Sequence, residues 1–246
     1  MNSILLLIFL ILMILIGGKR GLKLSISLLF NFIILIVTFY FIAIGFNPIV
    51  ISLIGCLIIS YIVLYFVNGR NIKTESSMKS IIIVLIIQVL FIFLITYLSR
   101  IAGFGYEAYE EINMFSYDIK LDFTNVTIAL ILIGLIGATI DSSIAISSAL
   151  YEVYLNNKKL NEKELYKSGL NIGKDILGTT ANTLLFAFLS EFMTLLIWFK
   201  TSDYSLGEII NAKSFCAEFI KILFSAIGCV LVIPITAYIT TKNVKK

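Results

Sequence analysis

Asp141 stands in the apolar run Gly137-Ala138-Thr139-Ile140-Asp141-Ser142-Ser143, with no lysine or arginine close to it in sequence. Placing a carboxyl group at bilayer depth costs about 2.5–3.5 kcal/mol on insertion scales, so something must hold it there. Intramembrane acids usually face a bundle interior or a water-filled cavity, where they take and release protons. Proton exchange is therefore the chemistry this residue offers. The bland alternative is a protonated or hydrogen-bonded Asp that only fixes helix pairing.

Ser148 and Glu152 follow Asp141 at offsets of seven and eleven, which keeps the three near one helical face. Gly134, Gly137 and Ala138 precede it, and small residues at this spacing predict close helix packing. A second stripe, Asn171, Asp175, Gly178 and Asn182, recurs at offsets of four, seven and eleven. Asn182 is expected within reach of Asp141, either as hydrogen-bonding glue or as a group that handles an ion. Glu152 and Asp175 fall nearer the cytoplasmic interface, where ordinary hydration or pairing with Lys159 or Lys174 would account for them. Glu191 and Glu218 are the remaining acids in apolar surroundings and would form the outer half of a proton path if they face each other. Pro234 is expected to kink the last span.

The elements that must position these groups are membrane helices. Hydrophobic residues make up 59% of the 246 and charged ones 14%, outside the range of water-soluble globular chains. A bilayer core needs roughly 20 helical residues. Seven spans are predicted, near Asn2 to Ile16, Leu24 to Ala43, Ile49 to Val67, Ile81 to Leu98, Val126 to Leu150, Ile176 to Phe199 and Phe215 to Ile239. The first lacks both the basic leading end and the cleavage site of a signal peptide, so it is read as a retained helix. The fold class is thus an all-α, polytopic bundle forming one domain, with the lipid bilayer as its first partner.

Alternate connections collect Lys19, Arg20 and Lys23; Arg70, Lys73 and Lys79; Lys158, Lys159, Lys163, Lys167 and Lys174; and Lys242, Lys245 and Lys246. This is fourteen of the nineteen basic residues. The positive-inside rule then puts the amino terminus outside and the carboxyl terminus in the cytoplasm, and locates the chain in the cytoplasmic membrane. The net charge of +4 is spread among short loops and reads as topology, with no nucleic-acid partner. Between Ser99 and Asn125 runs a longer connection with Glu107, Glu110, Glu111, Asp118 and Asp122 among Phe104, Tyr106, Tyr109, Phe115 and Tyr117. Its composition suits a headgroup-level element, with an ion-collecting vestibule as the other reading. Asn161 and Glu164 have the spacing of an N-cap and its returning carboxylate, and introduce a short amphipathic helix.

Histidine is absent, and Cys56, Cys216 and Cys229 all lie in apolar stretches. No metal ligand set, disulfide frame or cofactor motif is expected, and neither is an enzyme.

The runs LIGATIDSSIAISSALYEVY and ELYKSGLNIGKDILGTTANTLLFAF, with the earlier FGYEAYEE, resemble the YibE/F family of bacterial multipass membrane proteins. The likeness extends from about Arg100 to Tyr238. It implies pairing with a longer relative or a second copy, and no settled biochemical activity. More distantly, Gly-x-x-x-Asp on a helix that continues to a Glu, then a charged loop and a Gly- and Thr-rich helix, is similar to the transmembrane halves of RND and MMPL transporters. By that similarity Asp141 matches an intramembrane proton carrier. A proton-coupled permease-like subunit is the expected function; a non-transporting scaffold or sensor that docks another membrane protein is the alternative.

Overall fold

The computed structural model describes residues 2–103, 105 and 122–245. The acids and aromatics expected to form a headgroup-level element between 104 and 121 lie outside the described residues. Long apolar runs with few breakers form helices, and no strand occurs among the described residues. The helices are α1 (Asn2–Ala43), α2 (Pro48–Tyr61), α3 (Ile72–Ser99), α4 (Phe123–Asn156), α5 (Glu162–Thr201), α6 (Leu206–Asn211) and α7 (Lys213–Lys245). A π-helical segment, Ile62–Val67, extends α2. All but α6 contain long apolar stretches, so six of the described helices are long and apolar enough to cross a membrane.

The first two expected spans are the two arms of α1. They are divided by Gly18, whose φ of 52° and ψ of −132° suit only glycine. The chain turns back there. Met13 Sδ lies 4.0 Å from Ser25 Oγ, although twelve helical residues would separate them by about 18 Å in a straight helix. Gly21 sits in the crook, where an added Cβ would meet the Met13 carbonyl oxygen at 2.0 Å. Gly21→Leu is therefore expected to open this hairpin. A Met13→Cys/Ser25→Cys pair should be joined by a short thiol crosslinker in the parent and not when Gly21→Leu is added.

Local signals explain the other helix starts. Asn47 accepts hydrogen bonds from the Ile49 and Val50 amides, with Pro48 at the first turn of α2. Asn71 and Thr74 cap α3 reciprocally, and Asp122 accepts from the Thr124 amide at 2.9 Å. The capping pair expected at the start of α5 is present: the Glu164 amide donates to Asn161 Oδ1 at 2.8 Å, and the Asn161 amide to Glu164 Oε2 at 2.9 Å. The helix after it is not a separate short one. It runs unbroken for 40 residues, about 60 Å, so its first turns extend beyond a bilayer core. Helix α7 continues through Pro234 to Lys245.

The centre of the bundle is the contact of α4 with α7, flanked by α3; α2 packs on α4, α5 on α7, and α1 on α2. Three connections and the last turns of α7 meet at one end, hereafter the basic end. There Arg20 reaches Asn68, Lys73 reaches Glu152, Asn243 reaches Ser76, and Lys245 Nζ bonds the Leu160 carbonyl. These are the segments in which alternate basic clusters were expected to share a side.

Candidate functional site

Asp141 lies within two residues of the middle of α4 and is exposed. Leu130, Gly134, Gly137, Ala145 and Glu152 are exposed with it, and Ser148 is half-buried. Their intervals of three and four residues trace a single stripe down one face of the helix. The opposite face carries Ile128, Leu132, Leu135, Thr139, Ser143, Ile146 and Leu150, all buried. Asp141 thus does not face the interior of this bundle, as expected from its cost in lipid. It forms neither a hydrogen bond nor an ion pair among the described residues.

The second polar stripe also turns outward. Asn171, Asp175, Gly178 and Asn182 are all exposed on α5. The residues that pack, Leu165, Gly169, Gly173, Phe188 and Phe192, occupy the far side of the same helix. Height along the bundle separates the two groups further. Ser143 hydrogen-bonds Thr236 at 3.2 Å, and Ile233, three residues outward on α7, is what Gly173 packs against. Gly173 is therefore nearly level with Asp141, whereas Asn182, nine residues on, lies about 13 Å nearer the far end. No hydrogen bond joins Asn182 to Asp141.

Intimate helix packing within the chain uses other glycines than those expected. A Cβ on Gly173 would lie 2.3 Å from Ile233 Cγ2, and one on Gly169 2.7 Å from Leu150 Cδ1 and 2.9 Å from Ala237 Cβ. Gly137 and Gly178 face open space, and Gly134 meets only the stem of Lys221. Ala138 is half-buried beside them.

The outer acids do come together. Glu191 of α5 and Glu218 of α7 line one cavity of about 300 Å³, with Leu130 and Gly134 of α4 on its wall. Lys221 enters the same cavity and donates to both Glu218 oxygens, at 2.7 and 2.6 Å. Two turns beyond Asp141 toward the basic end, Ile144 and Ser148 reach a second and larger cavity. Gly134, Asp141 and Ser148 stand at intervals of seven, about 10 Å each, so Asp141 lies between two cavities on one helix face. Glu152 pairs with Lys73 of α3 at 2.9 Å, instead of Lys159 or Lys174. An exposed pair of this kind contributes about 0–1 kcal/mol. Asp175 has no ion pair among the described residues.

A polar column passed over in the sequence runs through the buried centre. Ser77 and Ser147 hydroxyls lie 2.8 Å apart, and Ser143 donates to the Ser77 carbonyl at 3.3 Å. Farther out, the fully buried Gln88 donates from Nε2 to the Phe224 carbonyl at 3.3 Å. Gly228 leaves room there for both Thr139 Oγ1 and Gln88 Nε2, which an added Cβ would meet at 3.0 and 3.4 Å. The signal was visible only in part, as Gln88 and Thr96 at a helical interval of eight in an otherwise apolar span. Thr139 and Ser143 face away from Asp141, so this column is separate from the acid's stripe.

Six long apolar helices, one of them bent back on itself, and a central layer whose polar groups bond across helices define a multipass helical membrane protein. A family model described as YibE/F-like protein matches residues 5–246, so the chain belongs to that family. No curated protein and no solved structure matches it.

Proposed function

We propose that the protein is a proton-coupled, permease-like subunit of the cytoplasmic membrane, with the basic end in the cytoplasm and Asp141 as the group that exchanges protons. The observation that carries this reading is the placement of Asp141: mid-helix, unpaired, and central to an exposed stripe with a cavity two turns away on either side. A carboxyl group in that position is not stable against acyl chains, so a second helix bundle covers the stripe in the membrane. That bundle is another copy of this chain or a longer relative, and the small residues of the stripe let its backbone come close. Protonation at Asp141 would then change the packing between the two bundles. Asp175 and Asn182 belong to a separate outward stripe, and Glu191 and Glu218 to the cavity at the far end. The substrate coupled to the proton is not specified by these groups.

The competing reading is a non-transporting scaffold or sensor, for which the same stripe is simply a docking face. Asp141→Asn separates the two because it retains size and hydrogen bonding but cannot exchange a proton. In vesicles reconstituted with the full assembly, the variant should remain assembled and lose proton flux to the level of empty vesicles. Flux equal to that of the parent would exclude Asp141 as the carrier and favour docking.

A further inference from the structure

The larger cavity, about 700 Å³, opens at the basic end between the bend of α1, the π-helical segment, the start of α3 and α4. Four cationic side chains line it: Lys19, Arg20, Lys23 and Lys73. They come from two stretches roughly fifty residues apart and converge because Gly18 turns the chain back just before the first three. Charge bias for topology requires only that lysines stand on one side of the membrane. It does not require them to share a cavity.

Little inside the cavity offsets this charge. Glu152 pairs with Lys73 at 2.9 Å, and Arg20 donates to the neutral Asn68 Oδ1 at 2.9 Å. Lys19 and Lys23 have no carboxylate partner among the described residues. Three positive charges are therefore in excess around one concavity. The hydroxyl of Ser148 adds hydrogen-bonding capacity, while Val67 and Ile144 make part of the wall apolar. The π-helical segment that ends at Val67, with Asn68 as its cap, is a geometry frequently met at functional sites.

We propose that this cavity binds a phosphate-bearing anion. A phosphate offers several strong acceptors to converging ammonium and guanidinium groups, and Arg20 suits it in particular. Two sources share this chemistry: the headgroup of an anionic phospholipid, whose acyl chains would run along the apolar wall, and a free phosphate or phosphate ester. Basic pockets between membrane helices at a positively biased face bind anionic headgroups by the same means. The site does not depend on proton exchange at Asp141, because none of its cations contacts that residue.

The test follows the thermal unfolding midpoint of the full chain in neutral detergent, titrated separately with phosphatidylglycerol, phosphatidylcholine and inorganic phosphate. Phosphatidylglycerol, inorganic phosphate or both should raise the midpoint, and phosphatidylcholine should not. A response to phosphatidylglycerol alone assigns the headgroup; a response to phosphate assigns a free anion. Lys19→Gln/Lys23→Gln should raise the half-maximal concentration about twenty-fivefold, taking about fivefold per charge. If the pair does not accumulate, Lys23→Gln alone should give that single-charge shift. Lys158→Gln/Lys159→Gln, equal in charge but outside the cavity, should leave it unchanged. The proposal is overturned if the outer pair weakens binding as much as the inner one, or if neither anion acts.

Discussion

Gly173→Leu is expected to prevent the chain from accumulating as a folded species. A first side-chain carbon at this position would lie 2.3 Å from Ile233 Cγ2 and 3.4 Å from Ile233 Cβ, well inside contact distance. Ile233 is 7% exposed and packed with Leu150, Leu165 and Ala237, so it has no free direction in which to swing. Relief must come from moving α5 off α7. Overpacking of this kind costs about 1–3 kcal/mol even when only methylenes are added, and a whole leucine against the β-branched, hemmed-in side chain of Ile233 costs more. Size-exclusion profiles of detergent extracts should show the parent as a single peak and Gly173→Leu as aggregate. Gly173→Ala should be milder and should improve when Ile233→Ala is added, because the second change removes the obstructing methyl groups. Gly178→Leu, five residues away on the outward face, should extract like the parent, since nothing lies within 4 Å of that position. Equal behaviour of the two leucine variants would mean that α5 does not pack as described.

The second large effect is expected at Gly137, one turn from Asp141 on the same stripe. A benzophenone attached through Gly137→Cys should form a protein adduct in native membranes at high yield. Its mass will be twice that of the chain if a second copy covers the stripe, or that of the chain plus a longer relative. Exposed position Leu90, 69% accessible and part of an apolar wall on α3, is the reference for lipid contact. Leu90→Cys carrying the same label should give lipid adducts alone. The native cysteines need replacement first, and Cys56 and Cys229 are buried enough to react slowly. Lipid adducts alone at Gly137 would leave Asp141 against acyl chains and remove the basis for proton exchange.

Much of the fold was legible because it follows from chain-local physics. Apolar runs set the helices, Asn161 with Glu164 marked the start of α5, and alternate basic clusters marked connections that the structure gathers at one end. The form of the first connection was not legible, because length alone does not say whether a glycine-bearing connection becomes a loop or a bend. At Gly18 the connection is a tight bend between two helical arms, so the first two expected spans stand as a hairpin within α1. The site was legible only in part. Periodicity collected Gly134, Asp141, Ser148 and Glu152 onto one face correctly, and likewise Asn171, Asp175, Gly178 and Asn182. Expecting Asn182 beside Asp141 required knowing which way each face turns, and that depends on residues of other helices.

The sequence by itself determined the solvent of this protein, its helical class, the start of α5 and the grouping of polar residues into stripes. Each of these depends on the 3.6-residue repeat, on bilayer thickness or on a capping pair within a few positions. Only the tertiary structure decided that the buried polar column is Ser77, Ser143, Ser147, Thr139 and Gln88, that Gly169 and Gly173 rather than Gly137 and Gly178 bring helices together, and that Asp141 looks outward. The reason is physical: a helix with small and polar residues on two sides has two faces able to pack, and the choice falls to the summed contacts of α3, α4, α5 and α7.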